Sequence, residues 1–209
     1  MIAKLIKFTT LQSLGLVALT LSQLSLAADV TVEVRDSKGK LLSDAVVYVE
    51  GSKTANPATN KAFEIEQKGR QFNPQVSVVQ AGTQITFPNK DKVRHHVYSF
   101  SPAKKFELKL YSGVPANPVL FDKAGTVVLG CNIHDTMLAY IHIVDTPYFA
   151  KTSASGVAAI TDLPEGSYEL KVWHYALQTD NKPAQQAITI KSTNQPVAIQ
   201  LDINDMKLM

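Results

Sequence analysis

The chain has 209 residues, a formal net charge of +3 and a single cysteine, Cys131. So small a charge excludes the basic field over the whole protein on which many nucleic-acid-binding proteins depend. One cysteine also excludes a framework of intramolecular disulfides.

The first 27 residues predict an export signal. Two lysines precede an apolar run over residues 14–21, and small residues stand at Ser25 and Ala27. This order is typical of a secretory signal, so we predict cleavage after Ala27, a periplasmic location and no membrane anchor, with an uncleaved anchor as the alternative. Without this segment, which holds two lysines and no carboxylate, the formal charge falls from +3 to +1.

The rest of the sequence predicts β-strands and no helix. Segments such as "VTVEVRD", "AVVYVEG", "AYIHIVD" and "YELKVWHY" alternate apolar and polar residues or are rich in β-branched ones. Turn residues at 36–39, 81–82 and 164–166 separate the strands at the spacing of a sandwich or barrel. The predicted fold class is therefore all-β.

Two distant segments resemble consecutive pieces of one module. "VTVEVRDSKGKLLSDAVVYVEG" (30–51) and "TSASGVAAITDLPEGSYELKVW" (152–173) are similar to carboxypeptidase-regulatory-like, or transthyretin-like, β-sandwiches. We therefore predict one such module from residues 28–55 and 148–205, split by a second domain at 56–147. Two tandem domains, in which residues 30–51 supply the first strands of the middle domain, are the alternative. The module has no catalytic or zinc-binding constellation, so the resemblance implies a scaffold or docking role.

The middle segment contains side chains that suit a copper ion. Cys131, His134 and Met137 are separated by two residues each, and His95 and His96 stand upstream. Two imidazoles and a thiolate with a distant thioether form the ligand set of a mononuclear blue-copper site. Copper would also protect a lone thiol in an oxidising compartment. A binuclear copper site would need a second cysteine.

The same segment resembles the cupredoxins, closest to their plastocyanin and amicyanin branch. "FNPQVSVVQAGTQITFPN" (72–89) and "GTVVLGC" (125–131) match the strands that lead into the ligands, and the loop from Cys131 to Met137 has the short amicyanin spacing. The resemblance implies a Greek-key cupredoxin sandwich beside the second, smaller β-sandwich. It also implies His95, Cys131 and His134 as equatorial ligands of one type 1 copper and Met137 as the axial ligand.

The resemblance assigns supporting positions to Asn89 and His96. Asn89 would tie the His95 segment to the backbone beside Cys131. Adjacent strand residues face opposite sides, so only one of His95 and His96 should point inward, and the family alignment favours His95. The sequence departs from the family at Asp135, which stands where a proline is common.

These features predict a carrier of single electrons rather than an enzyme. Its partners would be redox proteins, such as a c-type cytochrome or a periplasmic dehydrogenase, and not nucleic acid. Proteins of this pattern are sometimes labelled methylamine utilization proteins. The alternative is a copper-binding, copper-storage or adhesion-type β module without a redox role. A zinc site and a Cys131–His134 nucleophile are less favoured, because methionine is a poor zinc ligand and the nucleophile lacks a third orienting group.

Overall fold

The computed structural model describes residues 27–51, 62–177, 182–191 and 196–203. All of the secondary-structure elements in these residues are β-strands, which confirms the predicted all-β class. No helix in these ranges is long and apolar enough to cross a membrane. The predicted export signal lies outside the described residues except for Ala27. In chain order the strands are β1 (Ala27–Asp36), β2 (Val46–Glu50), β3 (Ala62–Glu64), β4 (Glu66–Lys68), β5 (Gln71–Asn73), β6 (Val76–Gln80), β7 (Thr83–Thr86), β8 (His95–Ser99), β9 (Phe106–Tyr111), β10 (Val119–Phe121), β11 (Gly125–Leu129), β12 (Ala139–Val144), β13 (Phe149–Lys151), β14 (Val157–Pro164), β15 (Gly166–Trp173), β16 (Ala184–Ile190) and β17 (Val197–Leu201).

One hydrophobic core is formed by strands from both ends of the described chain. In one of its sheets β1 lies between antiparallel β14 and parallel β17. In the other, β2 pairs with β13 and β15, and β16 completes the sheet. Trp173, Leu170 and Ile160 are among the largest side chains buried between these strands. We call this the first core. The predicted domain boundaries, and the choice between insertion and tandem domains, stay predictions.

A second core is formed by β3 to β12. Strand β12 pairs antiparallel with β11 and parallel with β6, and β7 lies between β10 and β3. Strands β8 and β9 form one further pair, and β4 and β5 form another. Phe87, Phe121 and Ile141 are fully buried here, where their aromatic and branched side chains fill the space between the sheets.

Aromatic side chains join the two cores. The ring of His142, on β12, stacks on Trp173 of the first core, with ring centroids 4.7 Å apart and planes 16° from parallel. Tyr48 packs on the same imidazole at 5.4 Å. Lys151 Nζ donates a hydrogen bond to the carbonyl oxygen of Val76, at the start of β6. Strand β12, which follows the predicted ligand loop, therefore packs against the first core.

Candidate metal centre

Two strand ends bring three of the predicted ligands together. Strand β8 begins at His95, whereas Cys131 and His134 lie in the loop between β11 and β12. Gly130 exchanges backbone hydrogen bonds with Tyr98 at 3.0 and 3.1 Å, which fixes the ligand loop against β8. A Cβ at position 130 would lie 2.6 Å from the Tyr98 ring, so a larger residue would have to displace that ring.

The three side chains face one another. Cys131 Sγ lies 4.0 Å from His95 Nδ1 and 4.0 Å from His134 Nδ1, and a donor atom of each residue lies within 4.8 Å of those of the other two. His95 is fully buried, Cys131 is 3% exposed and His134 is half-buried. The structure thus forms a pocket for an ion with one thiolate and two imidazoles and opens it to solvent only beside His134.

The spacing of these atoms suits a mononuclear metal ion. Bonds of about 2.0–2.3 Å from a central ion to nitrogen and sulfur place trigonal donors roughly 3.7 Å apart. The observed 4.0 Å separations need only small adjustments to reach that geometry. A soft thiolate with imidazoles suits copper or zinc better than the hard cations that prefer oxygen.

Met137 lies in the same loop, and its backbone N–H donates to the carbonyl oxygen of His134 at 2.9 Å. Its side chain is 1% exposed and belongs to the hydrophobic cluster that contains Cys131. The Met137 side chain is therefore in the interior, in the same cluster as Cys131. Its role as axial ligand stays a prediction.

The side chains of His95 and His96 have different partners, although both are buried. His96 Nε2 lies 2.8 Å from Glu107 Oε1, and its ring packs on Tyr98 at 5.5 Å, on the opposite side of β8 from Cys131. The two imidazoles thus face opposite sides of β8, with His95 towards Cys131 and His96 towards Glu107, although both are buried. Glu107 and the Tyr98 ring cover the outer face of β8, and the β8–β9 register shifts between His95 and Val97.

Asn89 stabilises the His95 segment through partners other than the predicted one. Its side-chain amide donates to the carbonyl oxygens of Val93 and Tyr111, both at 2.9 Å, and its Oδ1 accepts from the N–H of Asp91. Among the hydrogen bonds of the described residues, none joins the Asn89 side chain to the backbone beside Cys131, so that prediction is corrected. Asn89 lies next to β9, and its bonds link the loop before His95 to the end of that strand.

The sequence interpretation missed Asp91. Its Oδ2 lies 2.8 Å from His95 Nε2, and its carboxylate accepts the backbone N–H groups of Gly69 and Arg70 at 2.8 and 2.9 Å. These hydrogen bonds lower the pKa of Asp91 to about 2, and the bond from the Arg70 N–H has the largest effect. A carboxylate at Nε2 holds the proton there and leaves the Nδ1 lone pair facing Cys131, which is how metal-binding histidines are commonly oriented. In the sequence, the position of Asp91 four residues before His95 was the only feature that could have indicated this contact.

Side chains around the ligand loop are exposed and partly apolar. Val93, Ile133 and Leu138 are each more than two-fifths exposed. A cleft of about 560 Å³ runs from Gln75 and Arg70 to Thr136, Met137 and Leu138. The surface beside the ligand loop can therefore be reached by another molecule.

Several solved structures resemble part of this chain. A Cu-containing nitrite reductase from Thermus scotoductus SA-01 is 23% identical over 46% of this chain, with a TM-score of 0.37, and the chain spans about a quarter (24%) of its length. A purple cupredoxin from Nitrosopumilus maritimus is 18% identical over 39% of this chain and 98% of its own, with a TM-score of 0.35. An amicyanin mutant in its reduced Cu(I) form is 16% identical over 47% and 98%, with a TM-score of 0.36. No protein-family model and no curated protein matches the sequence.

Proposed function

We propose that this protein binds one copper ion between His95, Cys131 and His134 and carries single electrons between other redox proteins. The convergence of a buried thiolate and two imidazoles, with sulfur-to-nitrogen distances of 4.0 Å, is the observation that carries the proposal. Met137 is the proposed axial ligand, as the resemblance to cupredoxins implies, and the site is of type 1. The protein is proposed to act without a substrate of its own, so it is not an enzyme.

The donor set suits both oxidation states that such a carrier needs. Bound copper would supply the one-electron couple, in which Cu(I) favours the soft sulfur and Cu(II) accepts imidazole nitrogen. His95 begins strand β8, Cys131 follows Gly130, which is bonded to that strand, and both donors are buried from water. Little has to move when the charge changes, because Asp91 fixes the ring of His95 and the Gly130–Tyr98 bonds fix the loop.

His134 is the proposed route for the electron. It is the only one of the three donors that is not buried, and Ile133 beside it is 48% exposed. A partner protein that covers this surface would bring its redox centre near an imidazole bound directly to the metal. The proposed partners are redox proteins, with a c-type cytochrome or a dehydrogenase as candidates from the resemblance. The periplasmic location and the methylamine-utilization label stay predictions.

Addition of Cu(II) to the metal-free protein tests this proposal. A short copper–thiolate bond in trigonal geometry should give intense absorption near the red end of the visible spectrum, and Cys131→Ser should lose it while staying folded. The absorption should bleach on one-electron reduction and return on oxidation. Copper binding without the absorption would favour the copper-storage alternative, and a Cys131→Ser variant that keeps the absorption would rule out this site.

A further inference from the structure

A group of unpaired cations lies next to the candidate metal centre. We call Lys68, Arg70, Lys90, Lys92 and Arg94 the basic surface. All five are exposed, and in the described part of the chain none forms an ion pair. The 19 residues between Arg70 and Lys90 contain no charged side chain, so two short segments carry the whole group. The full chain has 21 Lys and Arg side chains against 18 Asp and Glu, and five of the 21 stand in these two segments.

Hydrogen bonds hold the two segments side by side. The turn between β4 and β5 has positive φ angles at Gly69 and Arg70, 64° and 60°, which aim both backbone N–H groups at the Asp91 carboxylate. Gln67 adds two backbone bonds, from its N–H to the Pro88 carbonyl oxygen and from the Lys90 N–H to its own carbonyl oxygen. The turn and the loop before His95 therefore form one fixed surface.

This surface borders the ligand loop. Arg70 lines the 560 Å³ cleft together with Thr136, Met137 and Leu138. It also lines a second cleft of about 430 Å³ with Lys92 and Val93. An object seated on Arg70 therefore touches both the basic surface and the residues beside the proposed axial ligand.

Few carboxylates compensate these cations. Asp91 faces His95 and the backbone N–H groups, and Glu66 accepts a hydrogen bond from Asn73. Asp135 is exposed on the ligand loop. Five exposed cations near one another repel, which is unfavourable unless a molecule of opposite charge gains from them. The exposed apolar side chains of Val93 and Leu138 add surface that a protein, but not a small ion, could cover.

We propose that the basic surface is the docking site for the acidic face of a redox partner protein. This inference rests on the proposed electron-transfer function and names the chemistry of the partner. Charge attraction would bring the partner to Arg70 and Lys92, and the apolar side chains would then contact it beside the ligand loop. Steering of this kind raises association rates and weakens with salt, because it depends on exposed charges.

Binding can be tested without copper, so that the result is independent of the metal site. The copper-free protein is titrated with an acidic plant-type [2Fe–2S] ferredoxin, and its backbone NMR shifts are followed at low and high salt. We expect changes in residues 68–70, 90–94 and 136–138, and a dissociation constant that rises at least about tenfold at high salt.

Two charge reversals supply the matched comparison. Lys92→Glu should weaken ferredoxin binding about tenfold at low salt, whereas Lys123→Glu should change it less than about twofold. Both variants change the net charge equally, but Lys123 precedes β11 at the end opposite to Cys131 and is exposed. Circular dichroism confirms that each is folded.

Three results would overturn the proposal. Equal weakening by both variants would show that net charge alone attracts the ferredoxin. Shift changes confined to other surfaces, or no binding at low salt, would place the partner elsewhere. Broadening of the same amides by hexacyanochromate(III) without any response to ferredoxin would make the surface a small-anion site. In each case the copper absorption would still decide the proposed function separately.

Discussion

The two cores bury polar side chains in different ways. In the first core Thr152 Oγ1 bonds the backbone of Leu42 and Ala45, and Asp36 accepts the N–H groups of Lys38 and Lys40. These side chains complete local hydrogen bonding, as most buried polar groups do. In the second core Cys131 and two histidine nitrogens face one another across about 4 Å. Donors that face each other rather than the backbone can hold an ion between them, so the two cores differ in what their buried polar side chains contact.

The largest expected effect comes from replacing each of the two adjacent histidines, His95 and His96, with alanine in turn. His95→Ala should abolish the copper–thiolate absorption, because it removes a donor 4.0 Å from Cys131 Sγ. His96→Ala should keep it, since His96 bonds Glu107 on the other side of β8. Absorption and electron paramagnetic resonance of both copper-loaded variants provide the measurement. If only His96→Ala loses the signal, the ligand is one residue away from the proposed position.

Removal of Trp173 tests whether the cores depend on each other. Its side chain is fully buried, its Nε1 has no hydrogen-bond partner in the described residues, and it stacks on His142. Trp173→Ala should therefore lower the free energy of unfolding by about 3–5 kcal/mol through lost packing, and Trp173→Phe by less. Urea unfolding is followed both by far-ultraviolet circular dichroism and by the copper absorption. If the two signals change at separate urea concentrations, the cores unfold independently and the contact between them is weak.

A smaller effect on metal binding is expected at Asp91, which bonds the ligand His95 but is not itself a proposed ligand. Asp91→Ala should weaken metal binding about 10- to 100-fold, because His95 loses the partner that fixes its ring. Asp91→Asn keeps the shape and should lie between this variant and the wild type. Competition titration with Co(II) measures the affinity and does not require redox activity. Unchanged affinity in both variants would show that the pocket alone orients His95.

Acid should weaken the contact between the cores. Burial lowers the pKa of His142 to about 4 from its ordinary value near 6.5. The unfolded chain therefore takes up a proton that the folded protein resists, so this stability is present above pH 6.5 and is lost as the pH falls towards 4. Between pH 7 and pH 5 the loss should be on the order of 2 kcal/mol.

His142→Gln serves as the control for this pH dependence. Urea unfolding of both proteins at pH 7 and pH 5 gives the difference that belongs to His142, since the carboxylates contribute equally to the two. A difference close to zero would mean that the imidazole is protonated in the folded protein or solvated through Thr126, its hydrogen-bond partner.

The sequence predicted the elements of the second core better than their pairing. The turn residues at 81–82 were predicted to separate two strands, and β6 and β7 lie on either side of Gly82. The two are nevertheless in different sheets, because β6 pairs with β12 and β7 with β3 and β10. Alternation is a property of one strand, whereas the choice of partner depends on the burial of distant residues.

The sequence by itself determined which donors are available: one thiol, a histidine three residues on and a histidine pair upstream. Their types follow from the residues alone and limit the metals that suit them. The tertiary structure decided that His95 rather than His96 faces Cys131, that Asp91 holds His95, and that His142 reaches Trp173. The physical reason is that these contacts depend on strand register and on loops that meet across 20 to 40 residues, whose geometry no local pattern of side chains contains.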